Sequence, residues 1–246
     1  MRILLIWCLL TTTHWVCAAE LSLGLGMASG QSEYADQPSQ SQVFPMAFYR
    51  GDRFFISGLN FGFDLVKDDK LSLSIVGDLD FRRFEPDQAD TASFAVLDER
   101  KSGLLGGIRL EHKLTKLNTF KYNLMTELSD RHGATIADVS WQHNFDLKLA
   151  ATRFFSIVKL RAVDAKYNQY YAGISADEAT SSGLLAYSPD SDIDLSLSLG
   201  AMHFFPNKWQ LLAFVNYRQY GNEVENSPMI IDTQVFGVFV GAAYRF

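Results

Sequence analysis

Ile193-Asp194-Leu195-Ser196-Leu197-Ser198-Leu199-Gly200-Ala201 alternates apolar and polar residues without a slip. A period of two places the first set on one face of a β-strand and the second on the other. The same pattern recurs on both sides of this stretch. Leu21, Leu23, Leu25 and Met27 oppose Ser22, Gly24 and Gly26. Leu71, Leu73, Ile75, Leu79 and Phe81 oppose Ser72, Ser74, Asp78, Asp80 and Arg82. Leu104, Ile108, Leu110 and Leu114 oppose Arg109, Glu111 and Lys113, and Phe120, Tyr122, Leu124 and Leu128 oppose Lys121, Asn123 and Glu127. Ala137, Val139, Trp141 and Phe145 oppose Asp138, Ser140, Gln142, Asn144 and Asp146. At the end of the chain, Phe236, Val238, Val240, Ala242, Tyr244 and Phe246 oppose Gly237, Gly241 and Arg245.

Two all-β architectures alternate in this way, a soluble sandwich or lipocalin-like barrel and a transmembrane barrel. Three features select the second. The segments run to about ten residues or more, which suits a tilted crossing of the hydrocarbon layer. Short connections (67–70, 115–118, 205–208) alternate with long ones (30–41, 85–103, 173–190, 221–234), as periplasmic turns alternate with outer loops. Aromatic residues gather at segment ends, among them Phe120, Trp141, Phe145, Trp209, Tyr217 and Tyr244, where an interfacial girdle sits. A dry sandwich core would also have to desolvate the charges carried on the second face.

Composition agrees. The chain has 246 residues, 48% hydrophobic and 20% charged, with a mean hydropathy of −0.02. That is too apolar for disorder and too polar for a bundle of membrane helices. A formal charge of −6 argues against nucleic acid as a partner.

Met1-Arg2, the apolar run Ile3–Leu10 and the small residues Cys17-Ala18-Ala19 form the three-part pattern of a secretory leader. Residues 1–19 are therefore expected to be removed, leaving a barrel of residues 20–246. Lipidation at Cys17 is the rival reading, which His14-Trp15-Val16 before it does not suit. Both cysteines, Cys8 and Cys17, leave with the leader, which excludes a disulfide framework, thiolate metal sites and a cysteine nucleophile.

Ten strands are expected at 20–29, 53–66, 71–84, 104–114, 119–129, 134–146, 153–171, 191–203, 209–220 and 235–246. Residues 42–50 are an eleventh candidate, and a barrel of this kind has an even number. Either 42–50 belongs to a loop, giving ten, or 53–66 breaks near Gly58, giving twelve. The unbroken phase of Leu59, Phe61, Phe63 and Leu65 favours ten. The need to place Phe44, Met46 and Phe48 favours twelve, the count adopted here.

With this register a ladder of charges faces the lumen: Asp78, Asp80, Arg82, Arg109, Glu111, Lys113, Lys121, Glu127, Asp138 and Arg218, together with Asp64, Asp146, Asp194, Lys159, Arg161 and Arg245. Acidic and basic members are equal in number, which suits a salt-bridged, filled interior better than a selective pore. A narrow solute channel remains the second reading. The long loops are acidic, with Glu33, Asp36, Glu85, Asp98, Glu99, Asp177, Glu178, Asp190 and Glu223. Solvated loops are the expectation; cation bridges to lipopolysaccharide are the alternative. No cofactor motif, zinc spacing or catalytic triad can be assembled. Asp130 and His132 make a weak pair on sequence proximity alone.

Tyr170-Tyr171-Ala172-Gly173-Ile174-Ser175-Ala176-Asp177-Glu178-Ala179, continuing to Ser182-Gly183-Leu184 and Tyr187-Ser188-Pro189, resembles the strand-to-loop signature of the MipA/OmpV family of outer-membrane proteins. Tyr170, Tyr171, Gly173, Ser175, Glu178, Ala179, Gly183, Tyr187 and Pro189 carry the resemblance. Pro206-Asn207-Lys208-Trp209, Ser227-Pro228, Tyr49-Arg50-Gly51-Asp52 and the closing Gly241–Phe246 extend it. Ala172 departs from the usual glycine or aromatic residue, and the 85–103 loop has no counterpart. The resemblance implies a non-enzymatic outer-membrane barrel that scaffolds a lytic transglycosylase with a penicillin-binding protein. Other members are described as surface adhesins or antigens. It also implies that Val240, Ala242, Tyr244 and Phe246 form the terminal signal read by the barrel assembly machinery, with lipid and lipopolysaccharide as surroundings.

Overall fold

Gly58 has a φ of 68° and opens the two-residue turn Gly58–Leu59, across which Ser57 pairs with Asn60. Glycine at the first central position is what a type II′ hairpin turn prefers, because a side chain there would strain the backbone. The turn divides residues 53–66 into β3 (Phe54–Gly58) and β4 (Asn60–Lys67). It thereby makes the strand count twelve.

The computed structural model describes residues 20–147, 149 and 151–246; the leader expected at 1–19, with Cys8 and Cys17, lies outside the described residues. Around the hairpin stand β1 (Glu20–Gly30), β2 (Gln40–Arg50), β5 (Leu71–Asp80), β6 (Gly103–Lys113), β7 (Asn118–Glu127) and β8 (Thr135–Phe145). The others are β9 (Thr152–Val163), β10 (Asp192–Phe204), β11 (Trp209–Gln219) and β12 (Gln234–Arg245). Each strand pairs antiparallel with its sequence neighbours, and β1 pairs with β12 to close the barrel. The last residue takes part in the closure, since the Phe246 N–H donates to the Leu21 carbonyl (2.9 Å).

Side-chain direction follows the alternation. Leu25, Leu199 and Val238 stand outward, each more than half exposed, as residues against acyl chains would be. Rings collect at the turn end, where Trp209 meets Tyr244 (5.5 Å) and Tyr244 meets Phe246 (5.2 Å). Where two strands approach closely, inward glycines leave room. A Cβ on Gly26 would lie 2.7 Å from the Phe239 ring, and one on Gly241 2.4 Å from the Met46 methyl.

Two expectations about the strands fail. The strand drawn over 153–171 stops at Val163, and α2 (Ala165–Ala172) follows. The cause is local. Asp164 caps the helix by accepting from the Tyr167 N–H (3.0 Å), and Tyr167, Asn168, Tyr171 and Ala172 fall on one buried helical face. Asp146, expected in the lumen, is exposed in the turn after β8, because the strand ends one residue earlier. The outer loops also hold α1 (Ala92–Ala95), α3 (Ala176–Ser182) and α4 (Asn222–Glu225).

Facing can be tested by charge insertion. Leu199→Arg, on the outer face of β10, should cost about 2–4 kcal/mol of folding free energy in phospholipid vesicles. Gln142→Arg, pointing into the lumen, should cost far less. Equal urea midpoints for the two variants would contradict the facing.

Candidate functional site

At the turn end the lumen opens into a cavity of about 650 Å³ bearing charges of both signs. Arg50 pairs with Asp64 (2.8 Å), which also accepts from the Ser74 hydroxyl (2.7 Å), and Lys121 sits 3.6 Å from Glu111. Arg109 is the hub of the next layer. It donates to Asn60 (2.8 Å) and Asn123 (2.7 Å), and Asn123 donates on to Asp138 (2.6 Å). Lys113 and Arg245 line the mouth, and Asp78 lies deeper. Charges from β4 to β8 are thus tied across strands, which holds long polar side chains in fixed positions.

Higher up, Arg161 lies 3.6 Å from Asp80 and Arg218 lies 3.4 Å from Asp194. Arg82, just beyond the end of β5, donates through Nε to Glu33 (2.8 Å). Its guanidinium is surrounded by the rings of Tyr220, Tyr171, Tyr34 and Tyr167 at 4.7, 5.3, 5.7 and 5.8 Å. Four quadrupoles and one carboxylate replace the water this cation has lost. Burial pushes the hydroxyls of all four tyrosines above their ordinary pKa, so the cage stays neutral. Tyr167 and Tyr220 also bond the ion pairs, donating to Asp80 (2.8 Å) and Glu33 (3.0 Å).

This cage joins the barrel to a cap built from the outer loops. Tyr34, Phe84, Leu97, Ile174 and Met229 form one buried cluster drawn from four loops. The residues of the sequence signature supply its framework. Tyr170 accepts from the Lys101 N–H (2.9 Å) and Tyr171 donates to the Lys101 carbonyl (3.0 Å). Ser175 and Glu178 form the capping box of α3. Glu178 also accepts from Arg100 (2.6 Å) and the Asp98 N–H (3.0 Å), and Arg100 donates to the Gly173 carbonyl (3.2 Å). Gly183, with φ 75°, ends α3, and Ala179 packs against the cluster. Tyr187 pairs with Ile174 and donates to the Glu223 carbonyl (2.9 Å), while Pro189 lines an outer cleft.

Of the expected ladder, Asp78, Asp80, Arg109, Glu111, Lys113, Lys121, Asp138 and Arg218 all lie on inward strand positions. Glu127 also starts inward, but its carboxylate turns to the N–H groups of Ser129, Arg131, His132 and Gly133 and holds their loop. Arg82 belongs to the cap. Glu33 and Glu178, expected in solvated loops, are buried ion-pair partners. Val240, Ala242 and Tyr244 share the outer face of the last strand, and Phe246, one residue past its end, is exposed. His132 packs among Tyr167, Tyr170 and Tyr171 instead of joining Asp130. Sequence reasoning missed Tyr34, Tyr167 and Tyr220. The Asp164-x-x-Tyr167 spacing, a capped helix start, was the one available signal.

The family described as MltA-interacting protein MipA matches residues 23–246. "Putative outer membrane protein YiaT" of Escherichia coli (strain K12) is 27% identical over 230 residues, 93% of this chain and 92% of that one. The "MltA-interacting protein" of the same strain is 26% identical over 249 residues, 100% of this chain and 99% of that one. Among solved structures, an outer membrane channel from Pseudomonas putida F1 aligns over 93% of this chain and 95% of that one, with 9% identity and a TM-score of 0.49.

Two tests address the cap. Arg82→Ala leaves Glu33 buried without its cation, which should cost about 3–5 kcal/mol and speed tryptic cleavage within 164–191. Arg82→Lys should not restore protection, since an ammonium cannot fill the planar cage; wild-type cleavage rates in both would refute the cage as the join between barrel and cap. Burial raises the Glu178 carboxyl, but bonds from the Ser175 N–H, Arg100 and the Asp98 N–H outweigh it and hold its pKa below that of an ordinary glutamate. The stabilisation is therefore complete above the unfolded value and fades as pH falls from there through the depressed one. Cleavage within 173–190 by an acid-active protease should rise across that window in wild type but stay flat in Glu178→Gln.

Proposed function

The chain belongs to the MipA family of MltA-interacting proteins, an outer-membrane β-barrel group, and on that premise we propose that it is a non-enzymatic scaffold for murein enzymes. The observation that carries the proposal is the match along the whole chain to a relative named for interaction with MltA. The partner class is a lytic transglycosylase, with a penicillin-binding protein as the second member of the assembly. The leader at 1–19 belongs to the same reading, as the means of export before barrel assembly.

The geometry is compatible with a periplasmic role. Outer loops fold into a cap, while the turn end presents a vestibule with Arg50, Glu111, Lys113 and Arg245 at hand. Charges of both signs on a rigid rim give a partner orientation more than raw affinity. His112, His143 and His203 lie on outward or strand-end positions away from one another's strands, and His132 is in the cap. A capped lumen favours this reading over a solute channel.

Co-reconstitution tests it. With p-benzoylphenylalanine in place of Asp69 or Lys116, in the periplasmic turns, a purified lytic transglycosylase of the MltA class should be crosslinked. The same probe at Asp177, on the outer side, should give no adduct. Lys113→Glu should weaken capture several-fold if the rim charges orient the partner. No adduct from either turn, or equal adducts from both ends of the barrel, would overturn the scaffold.

A further inference from the structure

The hairpin of β3 and β4 is too short for the wall it belongs to. β2 pairs with β3 only over Ala47–Arg50, and β5 pairs with β4 only over Ser72–Gly77. Residues 40–46 of β2 and 78–80 of β5 therefore lack a ladder on the sides that face each other. Pro45, which has no N–H to give, lies within that unpaired run, as proline in a sheet prefers an edge. Among the described residues, no backbone hydrogen bond joins 40–46 to 78–84. Side chains close the opening instead. Phe44 stacks on Phe81 (5.9 Å), Arg83 donates to the Gln42 side chain (3.1 Å), and Gln40 donates to the Arg83 carbonyl (3.4 Å).

Behind the opening lie two adjoining cavities of about 370 and 500 Å³, and Phe81, Phe214 and Asn216 line both. The first is aromatic, with Phe44 stacked on Phe239 (5.7 Å) and Phe239 on Phe214 (4.8 Å). The second carries Arg82, Lys159, Arg161 and Arg218 against one carboxylate, Asp80. Arg161 and Arg218 are each held by one carboxylate and have a buried Nε without a hydrogen-bond partner. Lys159 has neither a hydrogen bond nor an ion pair within 4 Å among the described residues; Asp138 and Asp78 face it in the vestibule at longer range. Lys159 and Ile157 line this cavity and the periplasmic vestibule alike, so the two spaces meet at that lysine.

We infer that the opening between β2 and β5 is a lateral portal between lipid and lumen, and that the chambers behind it bind a single-chain anionic amphiphile, a long-chain fatty acid. The hydrocarbon chain lies along Phe44, Phe81, Phe214 and Phe239, and the carboxylate meets Lys159. Unpaired backbone is costly in hydrocarbon, so a gap sealed only by one ring pair and side-chain amides opens with far less loss than a laddered wall. A single chain fits the arrangement. A fatty acid brings one chain and a small carboxylate past the Phe44–Phe81 and Gln42–Arg83 contacts, whereas a phospholipid would have to bring a second chain and a larger headgroup.

The test uses the full chain refolded in phospholipid nanodiscs, with tritiated palmitate as the probe. p-Benzoylphenylalanine in place of Phe44 should label palmitate. The same group in place of Phe48, on the same inner face but beside the paired part of β3, should not. In the chain with the probe at position 44, Lys159→Met should raise the half-labelling concentration of palmitate about tenfold, the loss of one charge-assisted bond. It should leave labelling of hexadecanol unchanged, and Lys159→Arg should keep palmitate binding. Heat-shifted gel mobility confirms that each variant is folded. Equal labelling at 44 and 48, adducts of phospholipid in place of palmitate, or a Lys159→Met effect shared by palmitate and hexadecanol would each overturn the inference.

Discussion

Backbone polar groups in hydrocarbon must find partners within the protein, and the rest of this molecule follows from that requirement. Twelve strands satisfy it by closing on themselves, with β12 returning to β1 over the register Ser22–Arg245 to Gly30–Gly237. Closure sets alternate side chains facing lipid or lumen. It also creates the second problem, an interior lined with charge that has lost bulk water. The Asn60–Arg109–Asn123–Asp138 chain and the Arg161–Asp80 and Arg218–Asp194 pairs are the answer to it.

Those pairs do more than neutralise one another, because they connect barrel to cap. Tyr167 on α2 reaches down to Asp80, and Arg82 rises from the end of β5 into a cage of rings from three loops. A planar cation suits this position: it stacks on several faces while still donating to Glu33. The sequence signature around 170–189 makes sense in the same terms. Glu178, Gly173 and Tyr171 hold the 98–101 segment, so the motif is the framework of a lid. Between β2 and β5, where the described residues leave the wall without a ladder, side chains alone close it. The opening stands next to Lys159, which has no ion pair within 4 Å among the described residues.

Strand positions, their facing and the inward charges were legible because period-two alternation is a local property, written into each segment regardless of its neighbours. Gly58 marked the break that makes twelve strands, against the unbroken apolar phase through Leu59 and Phe61, which argued for one strand. Tyr170 and Tyr171 were misread as strand residues, since the run after Val163 continues apolar enough to pass for one. Asp164 as a helix cap was the better guide.

The sequence by itself determined a chain that alternates, carries balanced charge on one face and ends its strands in aromatic residues. Each of these depends on residues a few positions apart. Only the tertiary structure decided which charges meet, because Arg82 and Glu33 lie 49 residues apart, and Tyr220 and Glu33 187. The lid, the tyrosine cage and the gap beside β3 all depend on such distant pairs. Their energies come from desolvation and geometry in a shared interior, which no local pattern records.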